Sequence, residues 1–314
     1  SSFVTSRSSV RSRPGALKMS KTENKWVISY ILLGITWGLS FLFIKQGLEF
    51  LTPIGVAFGR CSLGAITLIF IAKLRKVELP KDPKIWGHLL VVAMLLNVVP
   101  GVLFALAETK VTSILAGIIN AVTPLMTVLA ILIIGRDEKP KRSQLIGLAF
   151  GFLGVATVMG IWQGLGDNPI AYVLCLLLAV TCYGFSFPYS RRFVMPYKLQ
   201  PTPMATVQLI CAAAVLLPGY LIDGIAKDEF KPVPLLSMLC LGVFGSGFAY
   251  IWNFQIIRDA GSAIASSVTF VTPVVAVIAG IIFLGEEITW YEPVGALIVL
   301  FGAAIAQERI KLFS

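Results

Sequence analysis

Few residues in this sequence are equipped for chemistry, and those few sit in apolar surroundings. Arg60 is a full positive charge eight residues beyond Thr52, inside an otherwise uncharged run. His88 is the single histidine, and no second His, Cys or Asp stands at metal spacing from it. Neither H-E-x-x-H, G-x-S-x-G nor a glycine-rich phosphate loop occurs, so metal hydrolysis, serine nucleophile chemistry and ATP-driven pumping lack their residues. The five cysteines, Cys61, Cys175, Cys182, Cys211 and Cys240, are odd in number, contain no C-x-x-C pair and read as small buried hydrophobes. No cofactor is called for.

Polar and aromatic residues, in contrast, recur at helical spacing. Asn97, Gly101, Phe104 and Glu108 fall on one stripe of a helix, as do Ser113, Gly117, Asn120 and Pro124. Later in the chain Ser246, Tyr250 and Asn253 form a third stripe, and Ser262, Ser266, Thr269 and Pro273 a fourth. Side chains that donate and accept hydrogen bonds beside aromatic rings could hold a small molecule. They could equally glue helices together. Trp37 and Tyr183 lie about midway along their apolar runs, where interfacial anchoring explains them less well; they could close such a site from opposite sides or equally fill the core. Trp26, Trp86, Trp162, Trp290 and Tyr291 lie at the ends of runs and read as an aromatic belt.

The elements that carry these stripes follow from composition. The chain has 314 residues, 57% hydrophobic and only 13% charged, about half the charge of a soluble domain. A bilayer span needs about 20 apolar residues, and ten such segments fit: 26–45, 53–72, 85–106, 113–134, 142–161, 169–190, 203–222, 234–257, 262–284 and 290–307. Clusters such as 73–76 and 135–142 are too polar for hydrocarbon and separate them. The expected fold is an all-α integral membrane protein, which excludes a cytosolic enzyme, a nucleic-acid binder and a secreted disulfide scaffold. Its surroundings are lipid, and a monomer and a homodimer are equally compatible with it. Residues 1–25 read as a disordered basic tail; 1–18, with six serines and no acid, resemble a transit peptide or an extension ahead of Met19. Residues 308–314 form a second tail.

With the N-terminus in the cytoplasm, the inner loops and tails carry 21 Lys and Arg and the outer loops 4. Basic residues concentrate on the cytoplasmic side, so both termini are expected there, in a plasma or inner membrane. The chain also repeats itself. Residues 113–134 match 262–283 at an offset of 149, with eight identities that include Thr123-Pro124 and Thr272-Pro273. Gly147 and Gly154 match Gly295 and Gly302, and Trp37-Gly38-Leu39-Ser40-Phe41 matches Tyr183-Gly184-Phe185-Ser186-Phe187. Each half, 26–161 and 169–307, holds five spans, an odd number, so the copies run in opposite orientations. Inverted repeats of this kind are a secondary-transporter design with a substrate site near the midplane; a symmetric scaffold or channel is the alternative.

A five-plus-five inverted repeat whose fourth span reads small-x-x-small to Thr-Pro and ends near Gly-Glu resembles the EamA-type branch of the drug/metabolite transporter superfamily. The resembling stretches are Ala107–Gly135 with Gly147–Gly154, and Ile256–Glu286 with Gly295–Gly302. The first half departs at Gly135-Arg136-Asp137-Glu138, where the family ending is Leu-Gly-Glu. The resemblance implies export of amino acids or related small metabolites, with both termini inside. A phosphorylated-metabolite exchanger would need several intramembrane cations where only Arg60 qualifies, and a proton-coupled drug pump an acid in the first span, which has none. A membrane-embedded enzyme is the alternative from a different class.

The candidate substrate-binding residues are therefore Trp37, Asn97, Phe104, Asn120, Tyr183, Ser246, Tyr250, Asn253 and Thr269. Arg60, with Gly55, Gly59 and Gly64 around it, reads as a structural or gating residue that snorkels through a close-packed interface. Pro124 and Pro273 are candidate hinges, and Gly147, Gly151 and Gly154 a small-residue seam. The resemblance makes Glu286 a family-type position, while its loop, which has no basic residue, suits an ordinary solvated acid; replacement by Gln should leave membrane insertion intact and change transport less than about tenfold.

Overall fold

Long apolar runs with polar punctuation give helices and nothing else among the described residues, which are 25–134, 142–158, 162, 170–225, 231–306 and 310 of a computed structural model. The tails, the 135–141 loop and most of the 159–169 junction between the expected halves lie outside them, as does the Gly135–Glu138 departure from the family pattern. The described residues group into these helical rods: α1 (Lys25–Gly47), α2 (Pro53–Leu74), α3 (Pro83–Glu108), α4 (Ser113–Ile134), α5 (Arg142–Val158), α6 (Ile170–Tyr197), α7 (Pro201–Asp223), α8 (Pro232–Ala260), α9 (Ser262–Leu284) and α10 (Tyr291–Ala306). Eight are long and apolar enough to cross a membrane. The other two, α5 and α10, are shorter, with apolar stretches Ala149–Val158 and Tyr291–Gly302.

Starts and stops have local causes. Thr52 caps α2, its hydroxyl accepting from Gly55 N at 3.2 Å, with Pro53 at the first helical position. Asp82 and Thr112 cap α3 and α4 in the same way. The step from α8 to α9 is a single residue, Gly261, at φ +90°, where a side chain would be strained. Past their expected ends, α6 continues to Tyr197 and α8 to Ala260, so both carry basic residues, Arg191, Arg192 and Arg258, on their last turns.

The two halves interlock rather than standing side by side. α1 packs on α8 and α9 of the second half, and its repeat mate α6 packs on α3 and α4 of the first. α2 pairs with α7, α4 with α9 and α5 with α10. Irregularities recur at the same offset of 149: wide π-helical turns occupy Met94–Val98 in α3 and Val243–Phe248 in α8. Likewise α4 breaks at 121–122, between Asn120 and Thr123, while α9 passes through a tight turn at Val268–Phe270 before Thr272. Broken backbone is tolerated at membrane depth only where it is buried in protein or lines a cavity. The outer surface is apolar, with Ile222 87% exposed and Phe70, Ile282 and Leu297 also bare, as lipid contact requires.

Candidate functional site

A cavity enclosing about 480 Å³ of empty space, open solvent included, lies where α1, α3, α6 and α8 converge on the elbows of α4 and α9, with Arg60 of α2 reaching in. One wall is a run of rings: Phe41 lies 5.6 Å from Phe104, which stacks on Tyr183 at 5.6 Å and 18°. Across from it Trp37 meets Tyr250 edge-on at 6.1 Å. Trp37 Nε1 is buried and has no acceptor.

The polar groups come from helix irregularities. Asn120, at the elbow of α4, donates from Nδ2 to Thr272 Oγ1 at 3.1 Å and accepts from Thr123 Oγ1 at 3.3 Å. Its amide thereby ties the two elbows together across the repeat axis. Pro124 and Pro273 begin the second segments of α4 and α9, where their missing N–H leaves no ladder bond unmade. Thr269 and Ser40 also line the cavity; each hydroxyl donates to its own helix, at Ser266 O and Thr36 O, and so offers lone pairs inward. Arg60 is buried and turns inward instead of snorkelling to a headgroup. Its Nε donates to Ser246 Oγ at 3.1 Å and its Nη2 to Gly245 O at 3.3 Å, both on the π turn of α8.

Of the nine candidate binding residues, Trp37, Phe104, Asn120, Tyr183, Tyr250 and Thr269 meet at this cavity. Asn97, Ser246 and Asn253 stand behind its wall. Asn97 and Ser246 are repeat mates, and each lies inside a π turn. The extra residue of such a turn rotates what precedes it by about 100° relative to an unbroken helix, so a 3.6-residue stripe misplaces both. Asn97 Oδ1 accepts from Gln208 Nε2 of α7 at 2.5 Å, and Ser246 is occupied by Arg60. Asn253 lies about 4.5 Å farther along α8 than Tyr250, fully buried, with neither amide atom partnered.

Ser40, Gln208 and Thr272 escaped the sequence analysis. Ser40 had a signal, its match to Ser186 in the repeated Trp37 and Tyr183 segments; Gln208 had none, being one amide in an apolar helix.

The glycine seam acts at the periphery. A Cβ on Gly154 would lie 2.6 Å from Val299 N and 2.9 Å from Gly295 O, and one on Gly302 2.7 Å from Gly147 O. Gly154 thus faces the repeat mate of Gly147, and Gly147 the mate of Gly154. Gly151 faces Leu125 of α4.

Ionic groups close the two ends of the bundle. Lys45 Nζ donates to Glu108 O at 2.6 Å and Val111 O at 3.0 Å, and its repeat mate Arg191 donates from Nη1 to Ile257 O at 3.0 Å. Each cation satisfies carbonyls that the end of a helix leaves open. The Glu108 carboxylate is fully buried, with no hydrogen-bond partner on either oxygen. Glu286 is not the solvated acid its loop suggests. It accepts from Ser113 N and Ser113 Oγ at 2.8 Å and from Ile114 N at 3.1 Å, at the N-terminus of α4. That end of a helix presents free N–H groups and the positive pole of its dipole, which draws in a carboxylate from the loop after α9.

Comparison with known proteins agrees with this architecture. The uncharacterized inner membrane transporter YedA of Escherichia coli K12 is 26% identical over 285 residues, 90% of each chain. The uncharacterized transporter YvbV of Bacillus subtilis is 23% identical over 301 residues, 94% of each. A crystal structure at 17% identity superposes over 92% of this chain and 100% of its own with a TM-score of 0.67, a likeness of fold. The EamA-like transporter family matches twice, over residues 24–160 and 170–306, so that each half of the chain is one copy of the family's repeat. Two matched repeats, membrane-length helices and a cavity between them have one common explanation: this chain belongs to the EamA-like transporter family, and it is a membrane transporter.

Proposed function

We propose that the chain is a secondary transporter that exports small metabolites, in the class of amino acids and their derivatives, by alternating access or exchange. The observation that supports this best is the chemistry of the central cavity. It combines ring faces for an apolar side chain with an amide, two aliphatic and two phenolic hydroxyls and one guanidinium for a polar head. No acidic side chain in that wall would neutralise a lipophilic cation, Arg60 would repel it, and a phosphorylated metabolite would bring at least two negative charges to a single arginine. In this reading 26–161 and 169–307 are inverted five-span repeats, both termini are cytoplasmic on the count of 21 basic residues to 4, and the protein resides in the inner or plasma membrane, as the name of YedA says of that relative. Outward direction follows from the resemblance to exporters.

Counterflow with purified protein in liposomes, screened over the amino acids and their common derivatives, tests the proposal. At least one of them should exchange faster than in protein-free vesicles. If none did while the reconstituted protein remained monodisperse and oriented, the proposal would fail.

A further inference from the structure

The charge distribution in the cavity narrows the substrate further, granted that the cavity is the transport site. Arg60 is the only charged side chain in its wall. The guanidinium is buried, yet both of its hydrogen bonds go to neutral partners, Ser246 Oγ and Gly245 O, made by Nε and Nη2. Among the described residues it forms no ion pair; Glu108, at the end of α3, is beyond ion-pair distance. Two bonds to one rigid turn hold the guanidinium plane in place without neutralising it. Glu108 acts on the guanidinium electrostatically, but only from beyond that distance; a buried cation with no anion in contact is costly at membrane depth, and the planar fork suits a carboxylate better than any neutral acceptor. Trp37 lines the same cavity, and its buried Nε1–H has no acceptor.

We infer that the substrate is recognised through a carboxylate, with Arg60 as its anchor and Trp37 Nε1 as a second donor. The rest of the cavity agrees with that division. Phe104, Tyr183, Tyr250 and the Trp37 ring offer faces to a carbon skeleton, and no acidic side chain is present in the wall to hold an amine by charge. An α-ammonium group meets only ring faces and neutral oxygens there, interactions worth less than an ion pair. The substrate class is therefore small monocarboxylates, in which the α-amino group is tolerated and the carboxylate is required. Methyl esters and decarboxylated amines of the same skeleton are excluded.

The test is isothermal titration of the purified full-length protein with matched compounds in three skeletons. The phenyl set is 3-phenylpropionate, phenylalanine, phenethylamine and phenylalanine methyl ester; the isobutyl set is 4-methylpentanoate, leucine, isoamylamine and leucine methyl ester; the smallest is propionate, alanine, ethylamine and alanine methyl ester. In at least one set both acids should bind at least tenfold more tightly than the amine and the ester. Arg60→Gln should erase the difference, and Trp37→Phe, which keeps a ring and loses the N–H, should weaken the acids threefold to tenfold more than it weakens the amine and ester. Amines or esters binding as tightly as the acids wherever any compound binds, or no acid binding in any set, would overturn the inference. The comparison within each set uses the unaltered protein, so it stands even if Arg60→Gln fails to insert. Acid binding without exchange of any compound in liposomes would sink the transport proposal alone; exchange that ignores the carboxylate would sink this inference alone.

Discussion

Removing the charge of Glu286 should open one end of the bundle. The carboxylate ties the loop after α9 to the first turn of α4 through three hydrogen bonds of 2.8–3.1 Å. Glu286→Gln preserves one acceptor oxygen and, in either orientation, turns its NH₂ toward a backbone N–H that can only donate, so at least one of the three bonds is lost. A hydrogen bond to a charged group contributes about 1.5–3 kcal/mol, and a carboxylate at a helix N-terminus a further 0.3–1 kcal/mol or so. Because Glu286 is partly exposed, the lower end of that range applies. About 2 kcal/mol remains, roughly a 30-fold shift in the open population. Ala116, fully buried one turn inside α4, reports on that opening. In a chain whose five cysteines have been replaced, alkylation of Ala116→Cys by a soluble maleimide should accelerate about 30-fold with Glu286→Gln, and less with Glu286→Asp. The same magnitude replaces the sub-tenfold effect on transport expected of a solvated acid. An alkylation rate within threefold of the parent would show that the carboxylate does not hold this end shut.

Three other outcomes follow from the packing and the charges. Gly154→Ala places a methyl group 2.6 Å from Val299 N, an overlap between backbones that costs about 1–3 kcal/mol, so its melting temperature should fall while Gly87→Ala, with nothing within 4 Å, serves as a neutral control. A double-mutant cycle of Asn120→Ala with Thr272→Val, read by thermal stability, should give a coupling of about 0.5–1.5 kcal/mol, the net value of a buried neutral hydrogen bond; additivity would mean that the elbows are not tied there. Impermeant thiol reagents applied to intact cells should leave Lys198→Cys unlabelled and modify Lys231→Cys, and the reverse pattern would invert the topology inferred from basic residues.

The parts of this molecule that could be read from sequence are those that depend on local chemistry. Prolines after Thr52 and Asp82, the caps themselves, and the repeated Thr-Pro at 123–124 and 272–273 mark where helices start and break, because each acts on backbone groups a few residues away. The glycine seam was legible for the same reason: spacing alone brings Gly147 and Gly154 to one face. What escaped depends on long-range geometry. Hydropathy carries no record of which helix packs on which, so the crossing of α1 onto α8 and α9 was invisible. The two π turns leave no periodic trace, and they are what removed Asn97 and Ser246 from the cavity wall. Arg60 was placed in the right span but turned the wrong way, since the choice between headgroup and cavity rests on Gly245 and Ser246, some 185 residues distant in the chain. Glu286 looked solvated because its partners, Ser113 and Ile114, belong to the other half.

That the central cavity is the path of the substrate can be tested by plugging it. Ser40 lines the cavity, is buried, and is small enough to become cysteine in the cysteine-replaced chain. Modification of Ser40→Cys by a bulky methanethiosulfonate, followed in the same liposomes by counterflow of whichever amino acid exchanges fastest, should abolish exchange, and that amino acid in excess should slow the modification. Lys198→Cys, on an exposed turn, should be modified without effect. Full exchange through a protein whose Ser40→Cys is quantitatively modified would contradict the account.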